Sequence, residues 1–200
     1  LGPGASLNSL FGELRSDVVL LMREDTIVTE GWFNSLLAAF DDDSVGIVVP
    51  STNGGRGDQG VGARYNSKKR ELQKFARKVR NRYAGQTCDV DTVSSACVLI
   101  RRDLLVELGG FEATFQTNAF IDDLVRRAGQ KEYRTVCVRD TFVHCEGDHL
   151  IEEARERKAV DQLAKGDRHR LAQEHDQALE RYREALDLKD DYVEAALVCS

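Results

Sequence analysis

The sequence predicts an α/β domain over residues 1–147 and an α-helical tail over 148–200. Three observations carry that reading. Val18 to Met22 and Val45 to Val49 are short, wholly apolar runs rich in β-branched residues, the pattern of strands covered on both faces. Between them Trp32, Leu36, Leu37 and Phe40 recur at helical spacing, which completes one β-α-β unit. After Gly147 strand signals stop and charged helical patterns take over.

Each element follows in order. Thr29 is placed to cap the first helix of that unit, and Asp41-Asp-Asp-Ser44 forms its exit loop. Ser51 to Gly62 is rich in Gly, Ser, Asn and Asp, so it reads as a loop leaving the carboxyl end of a strand, where open α/β sheets place ligands. Arg64 to Arg82 holds nine Lys or Arg against one Glu, with Leu72, Phe75, Ala76 and Val79 at helical spacing. That is a helix with a basic face, either simply solvated or meeting anionic lipid or a diphosphate-bearing acceptor. Val90 to Ile100 reads as a strand, Arg102 to Leu108 as a short helix closed by Gly109, and Tyr133 to Val138 and Thr141 to Val143 as further strands. Asp122 and Asp123 precede Leu124-Val-Arg-Arg127 and open a helix, where the macrodipole favours negative charge.

In the tail, Gly166, Ala178, Tyr182 and Ala185 fall at the spacing that nests two antiparallel helices in a tetratricopeptide repeat. Ala178 to Leu188 would be the second helix of one repeat, and Tyr192-Val-Glu-Ala-Ala-Leu197 would open the next. Repeats need neighbours to bury their faces, and the only methionine is Met22, so a fragment of a longer protein is expected.

Composition narrows the function classes. With 42% hydrophobic residues a packed core is affordable, and a net charge of −6 argues against nucleic acid as the default partner. Five cysteines, Cys88, Cys97, Cys137, Cys145 and Cys199, include no Cys-x-x-Cys and suit reduced, buried thiols and the cytoplasm. No run approaches the roughly 20 apolar residues of a membrane span.

The chemistry-bearing residues are a strand-end acid, a double glycine, an acidic pair and a histidine. Asp25 ends the run Asp17 to Thr26, a position from which a carboxylate can hold a hard divalent cation against a pyrophosphate; its bland alternative is helix capping. His144 follows an apolar strand, where a histidine is either a structural residue or a ligand. One of Asp122 and Asp123 has a capping explanation; the pair is less readily explained that way.

The ordered segments Arg23-Glu-Asp-Thr26, Gly31-Trp32, Val45-Gly-Ile-Val-Val-Pro50, Ala96-Cys-Val-Leu-Ile-Arg-Arg102, Gly109-Gly-Phe-Glu-Ala-Thr-Phe115, Asp122-Asp-Leu124 and Val143-His144 resemble a family 2 glycosyltransferase catalytic domain, from the bacterial group carrying tetratricopeptide repeats. The resemblance implies a GT-A-type, Rossmann-like mixed sheet flanked by helices. It also identifies Gly4-Ala-Ser-Leu-Asn8 with the helix before the metal strand, so that the nucleoside-binding strands would be absent and the fragment itself inactive. Carried over by residue, Asp25 and His144 would hold a divalent metal, Mg2+ or Mn2+. One of Asp122 and Asp123, with Asp122 preferred, would be the base of an inverting displacement. Arg23, Glu24, Ala96, Gly109 and Gly110 would line the donor and acceptor. The implied partners are a nucleotide-sugar donor, a glycan, lipid-linked or protein acceptor, and a protein bound by the helical repeats.

Arg23 stands where similar chains carry Asn or Asp, and the acidic cluster is one residue short. These departures keep a rival open, a degenerate transferase domain acting as scaffold for the repeats. A nucleotidyltransferase shares the sheet and the metal acid but gives Asp122, Asp123 and His144 no task.

Overall fold

The computed structural model describes residues 3–11, 13–55, 57–62, 65, 68–114, 119–146, 162 and 164–188. Arg64, Phe115, Tyr192 to Leu197 and Cys199, all used in the sequence reading, lie outside them. The chain divides into two compact units, Leu1–Gly147 and Asp148–Ser200.

The first unit runs α1 (Pro3–Phe11), β1 (Val18–Met22), β2 (Thr26–Val28), α2 (Trp32–Ala38), β3 (Val45–Thr52), α3 (Lys69–Arg82), β4 (Thr87–Asp89), β5 (Cys97–Arg101), α4 (Arg102–Glu107), α5 (Ala119–Gln130) and β6 (Arg134–Cys145). The sheet is mixed, in the order β1-β5-β3-β6-β2, with β4 also paired to β6. β5 runs antiparallel to β1 on one side and to β3 on the other, while β3 and β6 are parallel. The expected β-α-β unit is therefore present without adjacent strands, because β5 inserts between its two members.

Strand alternation builds the core on both faces. Ile47, Val49, Val98, Ile100 and Cys137 point towards Leu104 and Leu105 of α4 and Phe120, Ile121 and Leu124 of α5. Their neighbours Val48, Cys97, Leu99, Val136 and Val143 point the other way and pack with Leu36 of α2. A third cluster joins Leu72, Ala76 and Val79 of α3 to Phe142 of β6. β3 is buried at every position, as its apolar run predicts. β1 is not, because it is the edge of the sheet; Leu20 and Met22 remain 36% and 47% exposed.

Several sequence expectations need correction. Val90 to Ile100 is not one strand: β4 ends at Asp89, a bend follows, and β5 starts at Cys97. Ser94 is drawn out of strand geometry because its N–H donates to the buried Gln59 Oε1 at 2.8 Å and its own hydroxyl accepts from the Ala96 N–H. Ser51 and Thr52 belong to β3 and not to the loop, since they continue its ladder onto Phe142 and Val143. The two strands expected within 133–143 form the single strand β6, its ladder with β3 slipping between Pro50 and Ser51. Thr29 does not cap α2; its hydroxyl donates to Phe142 O at 2.6 Å, and Gly31, at φ 73°, precedes the helix. β2 is too short to have carried a sequence signal of its own.

In the second unit, α6 (164–171) and α7 (His175–Leu188) form a helical hairpin turning at Gln173, which takes φ 63°. Ala178, Tyr182 and Ala185 are buried. A Cβ at Gly166 would lie 2.6 Å from the Tyr182 ring, so the glycine is what lets the helices nest. Tyr182 also donates its hydroxyl to Asp167 Oδ1 at 2.8 Å.

Candidate functional site

The turn between β1 and β2 carries Arg23, Glu24 and Asp25, and backbone bonds fix it. Ala96 O accepts from the Arg23 N–H at 3.1 Å and from the Thr26 hydroxyl at 2.9 Å, while Asp25 O accepts from the Glu146 N–H at 3.0 Å. β2 pairs with the end of β6 in the register Thr26 to Cys145 and Ile27 to His144. Sheet pairing thus brings the chain segments of Asp25 and His144 to the same end of one ladder.

Their side chains make different contacts. Arg23 forks onto the Asp25 carboxylate, Nε to Oδ1 at 3.1 Å and Nη2 to Oδ2 at 3.4 Å, with both side chains about one-fifth exposed or less. The Cys145 thiol donates to Asp25 Oδ2 at 3.7 Å, across 120 residues of sequence. His144, the preceding residue on β6, points to the opposite face. There its Nδ1 meets the Tyr65 hydroxyl at 2.5 Å. Tyr65 stacks on Phe75 of α3 at 4.5 Å between ring centroids and meets Phe142 edge-on. Burial holds the His144 imidazole below its ordinary titration range, opposed by the Glu146 carboxylate, and pushes the Tyr65 phenol up. The pair is therefore a neutral imidazole against a neutral phenol. Among the described residues no three His, Cys, Asp or Glu side chains cluster as a metal-ligand set.

An amide clamp that sequence reading missed fixes the end of β6. Asn53 Nδ2 donates to Cys145 O at 3.0 Å and Asn53 Oδ1 accepts from the Cys145 N–H at 2.8 Å. Asn53 lies in the Gly/Ser/Asn-rich stretch singled out as a ligand loop, which was the available signal. Tyr65 left none, because its partner is set by tertiary packing alone. Cys88, Cys97, Cys137 and Cys145 are free thiols. Burial raises those of Cys97 and Cys137 to about 12.

The acidic pair sits in the first turns of α5, and its members have different roles. Asp123, 9% exposed, accepts from Arg126 Nη2 at 2.5 Å and Arg127 Nε at 2.6 Å. Arg127 in turn donates to Leu108 O and Gly110 O, both at 3.0 Å, and so ties α5 to the double glycine. Asp122 is half-buried, about 100° further round the helix.

Gly109 and Gly110 end α4 with φ 73° and 87°. The Gly110 N–H donates to Leu105 O at 2.8 Å, and a Cβ there would strike Asn8 Oδ1 at 2.6 Å. Asn8 of α1 clamps the next residue as Asn53 clamps Cys145: its Nδ2 donates to Phe111 O at 2.7 Å and its Oδ1 accepts from the Phe111 N–H at 2.8 Å. A helix end and a close approach explain both glycines here.

The model of the family described as Glycosyl transferase family 2 matches residues 1–109. No curated protein matches the chain. Among solved structures, the mannosyltransferase PcManGT from Pyrobaculum calidifontis, in complex with GDP-Man and Mn2+, is similar in fold: TM-score 0.50 at 17% identity, over 98% of this chain and 57% of that one. TarS 1-349 from S. aureus gives a TM-score of 0.44 at 15% identity, over 81% of this chain and 45% of that one. The chain thus spans about half the length of these structures.

Proposed function

Because this chain belongs to glycosyl transferase family 2, we propose that it is the metal- and acceptor-handling part of an inverting transferase that moves a sugar from a nucleotide-sugar donor to a hydroxyl acceptor. The observation carrying this reading is the β2-β6 register, which sets the strand-end acid Asp25 and the strand-end histidine His144 at one end of one ladder.

The donors suit a hard divalent ion such as Mg2+ or Mn2+. Asp25 would supply a carboxylate; His144, whose imidazole faces Tyr65 on the other side of β6, would join it by turning towards the Asp25 side, where its neutral form ligates. When bound, the metal offsets charge developing on the departing diphosphate. Arg23 then leaves Asp25 and meets that diphosphate, a bidentate task suited to guanidinium. Asp122 deprotonates the acceptor hydroxyl, while Asp123, engaged by two arginines, holds α5 against the double glycine. The α6-α7 hairpin is read as one tetratricopeptide-type repeat that binds a protein partner.

One observation favours the scaffold alternative: the Arg23 guanidinium occupies the Asp25 carboxylate. The two readings separate on metal binding and turnover. Nucleoside diphosphate release from a panel of nucleotide sugars by a longer protein that carries the nucleoside-binding strands is measured with Mn2+ and with chelator, alongside calorimetric Mn2+ titration of wild type, Arg23→Asn and Asp25→Asn. The transferase reading expects metal-dependent release with inversion at the anomeric carbon, and Mn2+ binding lost in Asp25→Asn. Mn2+ binding indifferent to Asp25, with no release, would sink it in favour of the scaffold.

A further inference from the structure

The outer face of α3 concentrates positive charge. Between Lys68 and Arg82 there are eight Lys or Arg against one Glu, in a chain whose net charge is −6. The helix sorts its residues cleanly: Leu72, Ala76 and Val79 are buried, while Lys69, Arg70, Lys74, Arg77, Lys78 and Arg82 are exposed. Lys69, Arg70, Gln73, Lys74 and Arg77 line a shallow groove along this face. Among the described residues Lys74 pairs with Glu71 at 2.8 Å, Arg77 approaches Glu30 at 3.7 Å, Arg80 donates to Glu30 O, and the Arg82 guanidinium lies over the Tyr83 ring.

We propose that this face docks the chain onto an anionic lipid surface. A 14-residue helix is about 21 Å long, so the cations of its exposed side are spread along a length that can meet a plane of headgroups. No aromatic side chain is interleaved on the exposed face; Phe75 turns inward onto Tyr65, so the stacking platform that single-stranded nucleic acid requires is missing. A long polyanion wrapping the molecule would also meet its net negative remainder, whereas a plane touches one face only. The buried apolar stripe leaves nothing to insert into the acyl region, so the attachment is electrostatic and salt-labile. On the reading of the site given above, the docked helix lies between the headgroups and His144, because Phe75 on its inner face stacks on Tyr65, which holds the imidazole.

The test is co-sedimentation of the 200-residue chain with vesicles of phosphatidylcholine alone or with added phosphatidylglycerol, with no donor or metal present, so that it stands apart from turnover. Wild type is expected to bind only the phosphatidylglycerol vesicles, and to detach between about 0.05 M and 0.5 M salt as screening shortens to a few ångströms. Each basic residue near an anionic surface multiplies partitioning about fivefold, so Lys69→Gln, Arg70→Gln, Lys74→Gln and Arg77→Gln together should reduce it by about a hundredfold or more. The charge-preserving pair Arg70→Lys and Arg77→Lys should bind as wild type. Equal binding to neutral vesicles, binding unaffected by salt, or tighter capture by a single-stranded oligonucleotide than by phosphatidylglycerol vesicles would each overturn the proposal. So would a folded fourfold variant, by circular dichroism, that binds as wild type does.

Discussion

Replacing Asp123 by Asn separates the two members of the acidic pair by stability. Asp123 is 9% exposed and faces two arginines. Arg126 is 59% exposed, and an exposed pair of that kind contributes about 0–1 kcal/mol. Arg127 is only 21% exposed, and a hydrogen bond between charged groups in such a place is worth about 1.5–3 kcal/mol. The Asn amide keeps one acceptor oxygen, and Arg127 keeps the carbonyls of Leu108 and Gly110, so the full penalty of an orphaned charge does not apply. Asp123→Asn should therefore cost about 2 kcal/mol. Arg127→Met should cost about 3 kcal/mol, since it also strands two carbonyl oxygens. The double variant should be less destabilised than the sum, with a coupling of about 1–2 kcal/mol. Asp122→Asn should change stability by about 0.5 kcal/mol, a first-turn dipole effect, while lowering turnover of a longer protein that carries the nucleoside-binding strands by about 10²–10⁴-fold. Urea denaturation followed by the fluorescence of Trp32, the only tryptophan, gives the stabilities. An Asp123→Asn protein within about 0.5 kcal/mol of wild type, or an Asp122→Asn protein as unstable as it, would refute the division of labour.

Other outcomes follow from single contacts. Tyr65→Phe removes the partner that holds His144 Nδ1 on the far side of β6 and should leave Mn2+ binding at least as tight as wild type, read by calorimetry; a loss of about tenfold or more would show that the imidazole ligates from its Tyr65-bound position. Burial depresses the His144 pKa from its ordinary 6.5, so the unfolded chain takes up the proton first; stability is full above that value and is lost as pH falls below it. His144→Gln should show a shallower loss than wild type over that range in urea melts at stepped pH, and identical slopes would contradict this. Gly110→Ala combines φ 87° with a 2.6 Å clash on Asn8 and should cost about 2–3 kcal/mol, whereas Gly62→Ala, which meets open space, should cost far less.

The sequence determined the longer segments of secondary structure and much of the core, though not β2, the break before β5 or the exposure of β1. Apolar runs fixed β1 and β3, helical spacing fixed α2 and α3, and small residues at repeat spacing fixed the α6-α7 hairpin, because each is a local pattern repeating with its element's own period. Asp25, His144 and the acidic pair stood out in the sequence because they lie at element ends, where polar residues contradict the surrounding apolar pattern. Only the tertiary structure decided what each touches. That β5 separates β1 from β3, that Asn8 and Asn53 clamp distant backbone, that Asp123 belongs to Arg127 and that Tyr65 holds His144 all depend on contacts between residues far apart in the chain. Such partners are chosen by sheet register and packing, which a local window of sequence does not encode.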